Sequence, residues 1–193
     1  PPEFSRYGSF DVLSENTAKN LKELIENISE TDGDAEKRKI RDFYKTGMDV
    51  ETIEKMGMEP LQDGLDLVDA ATDVQQIQNI IFRWQSYGTG ILFNFFGAPD
   101  RENSEMVLAN LYQGGLGLTD VDYYISDDIN SVKIREEYKR YIEKMFSLTG
   151  NNASLANKKA VTVLDMETRL AKASMTRLER RDPHKTFNKI TVD

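Results

Sequence analysis

The sequence predicts a mainly α-helical fold with one small β-hairpin. Through most of the 193 residues, apolar side chains recur every three or four positions, which is the spacing of one face of an α-helix. Residues 91–96 interrupt this pattern with a short aromatic run between turn-forming residues, which is typical of a strand. A glycine-rich stretch at residues 112–124 follows. The chain is therefore expected to divide into segment 1–125, with helices, a hairpin and the glycine-rich elbow, and segment 126–193, with a long helical hairpin and a loop.

The composition excludes several classes of protein and site. Lys and Arg number 25 against 33 Asp and Glu, so no nucleic-acid partner is expected, because phosphate binding needs a basic face. The absence of cysteine excludes disulfides and thiolate metal sites. No run approaches the roughly 20 apolar residues of a membrane helix, so no membrane segment is expected in this chain. The sequence opens without an initiator Met, which is compatible with a leader removed earlier.

The first helix is predicted behind an extended or turn-like start at residues 1–9. Its apolar residues recur at helical spacing, and Ser14 or Asn16 is available as its N-cap. Asp34 is predicted to cap a second helix, which Gly47 ends or bends. The apolar positions are Leu21, Leu24, Ile25 and Ile28 in the first helix and Ile40, Phe43 and Tyr44 in the second.

Three further helices lead to the hairpin. A short one should stop at Gly57, and Pro60 suits the first turn of a helix over residues 61–71. Either Thr72 or Asp73 caps the next helix. Its apolar stripe consists of Val74, Ile77, Ile80, Ile81 and Trp84.

The hairpin and the elbow come next. Residues 91–96 favour a buried strand, residues 97–104 a loop, and residues 106–112 a second strand that pairs back. The glycines of the elbow allow positive φ, so the chain can turn sharply there while Leu116 and Leu118 enter a core. Their spacing is not that of a dinucleotide-binding loop. These glycines are Gly114, Gly115 and Gly117.

Segment 126–193 is predicted to be an antiparallel pair of helices. The connection starts at Ser126 or Asp127, and the helices cover about residues 132–149 and 153–175, with Gly150 as the stop between them. The last seven residues, from 187, are expected to be a loop ending in a Thr cap with a helix behind it. This pattern predicts that the chain is part of a longer protein.

No catalytic residue and no metal ligand is predicted in this chain. His184 is the only histidine, whereas a zinc peptidase helix needs two imidazoles one turn apart. His184 is therefore expected to be a solvated side chain. Acidic residues cluster in three places without the spacing of a calcium loop, and most are expected in turns, caps and solvated faces. The clusters are Asp32 and Asp34; Asp63, Asp66 and Asp69; and Asp120, Asp122, Asp127 and Asp128.

The elbow also resembles a known signature. Residues 115–118 and 122–124 match Gly-Leu-Gly-Leu-Pro-x-Arg-Asp-Tyr-Tyr of the neprilysin, endothelin-converting enzyme and bacterial oligoendopeptidase O family of zinc metallopeptidases. Thr119 stands at the Pro of that signature, and Val121 stands at its Arg. Further matches to the family follow in order along nearly the whole chain. They are residues 5–11, 43–49 (with Gly47 at a family Cys), 167–174, 179–183 and 187–189.

Residues 5–11 resemble the Ser-Arg-Tyr-Gly-x-Phe-Asp segment of this family. The resemblance implies substrate binding, in which Arg6 grips the C-terminal carboxylate of a bound peptide, with Phe10 and Asp11 nearby. A guanidinium suits this role because its planar donors match a carboxylate. From the pattern alone, the alternative is a surface ion pair of Arg6 with Asp11 or Glu15.

The resemblance implies the N-terminal portion of a two-lobed zinc metalloendopeptidase that cleaves short peptides. Zinc would be held by two His and a Glu of a C-terminal catalytic portion, which would be the partner of this chain, and this chain alone would be inactive. Because vertebrate members are disulfide-rich, the lack of cysteine indicates a prokaryotic member, cytoplasmic or exported. The alternative, from another class, is a non-catalytic helical binding or scaffold module.

Overall fold

A computed structural model describes residues 8–191, and residues 1–7 and 192–193 lie outside its described part. Over residues 8–191 the chain forms eight α-helices, one turn of 3-10 helix and one antiparallel two-stranded sheet. This architecture confirms the prediction of a mainly α fold with one small hairpin. In the described part, no helix has both the length and the apolar character needed to cross a membrane. The chain separates into two compact units between residues 62 and 63; the predicted division after residue 125 stays a prediction.

The first unit contains three helices. They are α1 (Ser9–Glu26), α2 (Ala35–Met48) and α3 (Val50–Met56). Helices α1 and α2 contact each other. The Tyr44 hydroxyl donates a hydrogen bond to Glu26 at 3.0 Å, and the Lys45 ammonium donates one to Glu30 at 2.9 Å. These two polar links tie α2 to the end of α1 and to the loop that follows it.

Helix α1 begins at Ser9, which is earlier than predicted. Neither Ser14 nor Asn16 is its N-cap, because both lie inside the helix. The cap position is occupied by Gly8, whose N–H donates to Asp11 Oδ2 at 2.7 Å. A carboxylate three residues after the cap satisfies an N–H that the helix itself leaves free, so this contact sets the helix start.

The other predicted boundaries in this unit are close to those observed. Asp34 caps α2, since its Oδ1 accepts from the Glu36 N–H at 2.9 Å. Helix α2 ends at Met48, one residue after Gly47. Gly57 ends α3 with φ of +52°, a value that favours glycine.

The remaining elements lead from the division between the units to the C-terminal loop. They are α4 (Glu59–Asp69), α5 (Val74–Ser86), β1 (Phe93–Pro99), β2 (Val107–Gln113), α6 (Asp122–Ile125), α7 (Ile129–Leu148), α8 (Ala153–Ala173) and the 3-10 turn Glu179–Arg181. Pro60 lies in the first turn of α4, as predicted. Of the two candidate caps of α5, the structure selects Asp73, whose Oδ1 accepts from the Gln76 N–H at 2.8 Å.

The hairpin exists as predicted, but its first strand differs in position and burial. Strand β1 pairs with β2 from Phe93 opposite Gln113 to Pro99 opposite Val107. The prediction of a buried strand over residues 91–96 with a loop from residue 97 is therefore wrong. Phe95 is 55% exposed, because a two-stranded sheet has no neighbouring strands to complete a covered layer. Proline is tolerated at the end of such an edge strand.

Helices α7 and α8 pack against each other as the predicted antiparallel pair. Helix α7 begins at Ile129, three residues before the predicted start, because Asp128 accepts from the N–H groups of Asn130 and Ser131 at 3.0 Å each. Gly150 separates the helices with φ of +84°. Helix α8 ends at Ala173, two residues before the predicted end.

The elbow packs into a small core, which confirms the prediction for its two leucines. Val121, Tyr124 and Ala171 are buried together, and partly buried apolar side chains surround them. These are Leu116, Leu118, Tyr138 and Leu164. A Cβ on Gly117 would overlap the Tyr138 hydroxyl, so the elbow approaches α7 closely only because this residue has no side chain.

Candidate functional site

Two of the three predicted substrate-binding residues, Phe10 and Asp11, lie at the start of α1. Arg6 is outside the described residues. Phe10 is 85% exposed in the first turn of the helix. Asp11 is half-buried, and its carboxylate holds the Gly8 N–H. The structure therefore brings Phe10 and Asp11 together on one helical turn, and their contact with a substrate stays a prediction.

A cluster of hydrogen bonds around Glu167 closes the elbow against α8. The carboxylate accepts from the Tyr124 hydroxyl at 2.6 Å, from the Tyr138 hydroxyl at 2.9 Å and from the Gly117 N–H at 3.3 Å. The Tyr124 hydroxyl in turn accepts from the Leu118 N–H at 2.8 Å. One carboxylate of α8 thereby joins the elbow, α6 and α7.

The electrostatics of this Glu167 cluster indicate a structural role. Burial raises the pKa of the Tyr124 phenol above its ordinary value of 10.0, and the hydrogen bond to Glu167 raises it further. The same two causes raise the pKa of Tyr138. Both phenols therefore remain protonated donors at neutral pH. General acid–base catalysis favours a group with a pKa near the working pH, and neither phenol meets that condition.

Two further side chains fix the segments on either side of the elbow. The Gln113 amide donates to the Met175 carbonyl at 3.0 Å and accepts from the Met175 N–H at 2.9 Å. Arg135 Nη1 donates to the Tyr123 carbonyl at 2.8 Å and to the Ser126 carbonyl at 2.7 Å. The elbow is thus held at its start through the Gln113 side chain and at its end through the Tyr123 carbonyl.

The loop of the hairpin is anchored to the C-terminal loop. Lys189 donates to the Asp100 carboxylate at 2.5 Å, and the Asp100 side chain is 1% exposed. This hydrogen bond lowers the pKa of the Asp100 carboxyl below its ordinary value. Arg101 donates to the Pro183 carbonyl at 2.9 Å, and its guanidinium lies 5.9 Å from the centre of the Phe187 ring. These contacts position the loop behind the 3-10 turn against the hairpin.

The described residues do not form a metal site. His184 is exposed, as predicted, and its N–H donates to Asp182 Oδ1 at 2.9 Å. Within residues 8–191 no three His, Cys, Asp or Glu side chains are placed to hold a metal ion. The zinc ion that the resemblance implies therefore does not fit the residues of this part of the chain.

The acidic clusters include turn and cap residues, as predicted. Asp32 Oδ1 accepts from the Asp34 N–H at 2.8 Å, and Asp120 Oδ1 accepts from the Asp122 N–H at 3.3 Å. Asp128 is the cap of α7. In these three positions the carboxylate stabilises a bend or helix start through a backbone N–H.

A cavity of about 340 Å³ lies beside the elbow. It is bounded by the start of the hairpin, the elbow and the segment that follows α8. The polar residues among those that line it are Asn94, Gln113, Thr119, Asp120, Ser174 and Arg180. The Arg180 Nε atom is buried and has no hydrogen-bond partner within residues 8–191.

Sequence reasoning did not find the Glu167 cluster, Arg135 or Arg180. In the sequence, Tyr138 falls within the helix predicted over residues 132–149, and Glu167 falls within the family match over residues 167–174. Tyr138 and Glu167 are 29 positions apart, and Tyr124 and Glu167 are 43 apart, so no local spacing connects them. One signal in the sequence could have indicated the Tyr138–Glu167 contact. The two helices that contain these residues were predicted to pack together, and each carries a side chain able to form a hydrogen bond.

Comparison with known proteins identifies the family of this fold. The profile of the N-terminal part of peptidase family M13 matches residues 1–193. The chain belongs to this family. Endothelin-converting enzyme-like 1 of Rattus norvegicus is 28% identical over 205 residues, and endothelin-converting enzyme 1 of Bos taurus is 28% identical over 199 residues. Each alignment covers 100% of this chain and 26% of the relative, so the chain spans about a quarter of their length.

Solved structures agree with this family. The crystal structure of the Mycobacterium tuberculosis zinc metalloprotease Zmp1 in complex with an inhibitor matches with a TM-score of 0.85 and 27% identity. The match covers 95% of this chain and 28% of Zmp1. PepO from Lactobacillus rhamnosis matches with a TM-score of 0.79 and 15% identity, covering 95% of this chain and 29% of PepO, which supports the fold alone.

Proposed function

We propose that this chain is the N-terminal portion of a zinc metalloendopeptidase that cleaves short peptides. The observation that carries this proposal is the match of the M13 profile to residues 1–193. The similarity of the fold to Zmp1, which is described as a zinc metalloprotease, supports it. In this proposal the zinc ligands and the catalytic groups belong to a C-terminal portion that is the partner of this chain.

No step of peptide hydrolysis is assigned to this chain. It has one histidine and no cysteine, and the described residues lack a group of three metal-ligating side chains. The role proposed for these residues is therefore to bind substrate and to pack against the catalytic portion.

Exposed apolar side chains of the first unit support a partner surface. Phe10 and Phe43 are each 85% exposed, and Leu24 is 67% exposed. On α1, the residues Phe10, Leu13, Leu21 and Leu24 recur at the spacing of one helix face and are each more than half exposed. A contiguous exposed apolar face often marks an interaction site. We expect the C-terminal portion to cover part of this surface.

Within the same proposal, Arg6 binds the C-terminal carboxylate of the peptide, with Phe10 and Asp11 beside it. Support comes from the helix start that follows Arg6 in the sequence. The hydrogen bond between the Gly8 N–H and Asp11 fixes the first turn of α1, and Phe10 projects from that turn with 85% exposure. This first turn carries the Phe10 ring and the Asp11 carboxylate, and both residues follow Arg6 closely in the sequence.

The substitution Arg6→Gln tests this role in the protein that contains both portions. A charge-assisted hydrogen bond contributes about 1.5–3 kcal/mol, so kcat/KM should fall about ten- to a hundredfold on peptides whose free carboxylate lies two residues beyond the cut. Amidating that carboxylate should remove most of the difference between the wild type and Arg6→Gln. The measurement is kcat/KM for matched free-acid and amidated peptides.

Lys19→Gln is the matched control, because Lys19 is an exposed cation on α1 and its substitution removes the same charge. This variant should cleave both peptides as the wild type does. Equal losses of Arg6→Gln on free-acid and amidated peptides would show that Arg6 is structural. If the longer protein shows no chelator-sensitive cleavage at all, the peptidase proposal itself fails, and a helical binding or scaffold module is the remaining function.

A further inference from the structure

The cavity beside the elbow is lined by Arg180, a cation that forms no ion pair with the described residues. Arg180 is partly buried, and its Nε atom has no hydrogen-bond partner within residues 8–191. The ion pairs formed within that range do not include Arg180. A buried N–H donor without a hydrogen-bond partner is costly, because burial removes its hydration.

Arg41 shows how such a group is usually satisfied. One of its terminal nitrogens, Nη1, is also buried without a partner. Its Nε and Nη2 atoms, however, contact the Asp42 carboxylate at 2.9 and 2.5 Å. The charge of Arg41 is thus paired within the described residues, whereas that of Arg180 is not.

The other polar groups around the cavity are largely engaged. The Gln113 amide is paired with the Met175 backbone. The Ser174 hydroxyl donates to the Leu170 carbonyl at 2.8 Å. These side chains therefore offer little to a ligand. The Nε–H of Arg180 is the buried donor beside this cavity that lacks a partner within residues 8–191.

We propose that this cavity is a carboxylate-binding site in which Arg180 is the principal ligand-binding residue. A guanidinium binds a carboxylate with two parallel hydrogen bonds, which satisfies its charge and its donors together. Asp120, an acidic residue, also lines the cavity, so a monoanion is favoured over phosphate, which carries about 1.5–2 negative charges near pH 7. The carboxylate has two possible sources, a peptide C-terminus or an acidic side chain. This site is independent of the function proposed for Arg6.

Nuclear magnetic resonance of the 15N-labelled 193-residue chain tests the site directly. The Nε–H signal of Arg180 is assigned by its loss in Arg180→Lys, and the wild-type chain is then titrated with acetate, phosphate or chloride at constant ionic strength. We expect a saturable shift of the Arg180 signal with acetate and a weaker response to phosphate and chloride. The variant serves only to assign the signal, and the shift itself is measured on the wild-type chain.

Matched variants and peptides separate the possible sources. Arg180→Lys should weaken acetate binding about tenfold, since a lysine lacks the bidentate geometry. Arg181→Lys, at the exposed neighbouring position, should bind acetate as the wild type does. Binding of an N-acetylated alanine peptide with a free C-terminus indicates a terminal carboxylate, and binding of an amidated peptide with one Glu indicates an acidic side chain.

Three results would overturn the proposal. They are the absence of a saturable shift with acetate, tighter binding of phosphate than of acetate, and an equal loss in Arg180→Lys and Arg181→Lys. None of these results bears on cleavage by the longer protein, so this site and the proposed peptidase function can fail separately.

Discussion

At the residue scale, Glu167 links the elbow to helices α6 and α7. Its carboxylate accepts hydrogen bonds from two phenols and one backbone N–H. Tyr124 contributes most to this cluster, because it is 4% exposed and its hydroxyl is both a donor to Glu167 and an acceptor from the Leu118 N–H. Removing that hydroxyl takes one hydrogen-bond partner from the Leu118 N–H and one from the Glu167 carboxylate.

The substitution Tyr124→Phe should therefore lower the free energy of unfolding by about 1–3 kcal/mol, the usual cost of leaving buried polar groups unsatisfied. Urea denaturation of the wild type and the variant measures this difference. Tyr141→Phe is the control, since Tyr141 lies on the same helix as Tyr138 but is 60% exposed. Its substitution should change stability by less than about 0.5 kcal/mol. Equal stability of Tyr124→Phe and the wild type would show that the cluster does not stabilise the elbow.

At the element scale, several helices start where an acidic or amide side chain can accept a backbone N–H. Asp34, Asp73, Asp128 and Asn152 each do so at the first turn of a helix. Asp128 has two such partners, Asn130 and Ser131, and its carboxylate also accepts from the Ser126 hydroxyl at 2.7 Å. The hydrogen bonds from Ser131 and Ser126 lower the pKa of Asp128 well below its ordinary value of 3.8.

Asp128→Ala should lower the melting temperature at pH 7 by about 2–4 °C relative to Asp127→Ala, which removes the same charge at an exposed neighbour. A carboxyl with a lowered pKa in the folded state stabilises the fold above its unfolded pKa. That stabilisation is lost as the pH falls through the lower folded value. The difference between the two variants should thus shrink once the pH is below about 3.8, the ordinary value for Asp. Thermal melts at several pH values measure it, and a difference that persists in acid would contradict the assignment.

At the scale of the whole molecule, the residue inventory limits what the chain can do. A zinc site in a protein is normally built from His, Cys, Asp and Glu ligands in tetrahedral geometry. The full sequence has one His and no Cys, and residues 8–191 do not bring three ligating side chains together. We therefore expect no hydrolytic zinc centre to form from the residues of this chain alone.

The purified 193-residue chain should accordingly show no zinc-dependent cleavage of a quenched fluorescent peptide. The assay is run with added zinc, with and without a chelator, on successive purification fractions. The longer protein containing both portions is the positive control. Turnover that follows the chain through purification and disappears with chelator would contradict this prediction.

The sequence by itself determined the mainly α class, the order of the helices and most of their ends. These features are local: Asp34, Gly57 and Gly150 act on backbone groups within a few positions, so their effect can be recognised without the fold. The exposed state of β1 was not predictable in this way. Its aromatic run indicates a strand, but the burial of a strand depends on which other elements cover the sheet.

The tertiary structure decided the features that involve distant residues. Tyr124, Tyr138 and Glu167 form one cluster only because α6, α7 and α8 pack around the elbow. Arg180 belongs to a basic stretch in the sequence, and the fold alone places it beside a cavity with its Nε atom buried and without a partner among residues 8–191. The physical reason is that caps and turns act along the chain, whereas desolvation and ion pairing depend on neighbours that packing supplies.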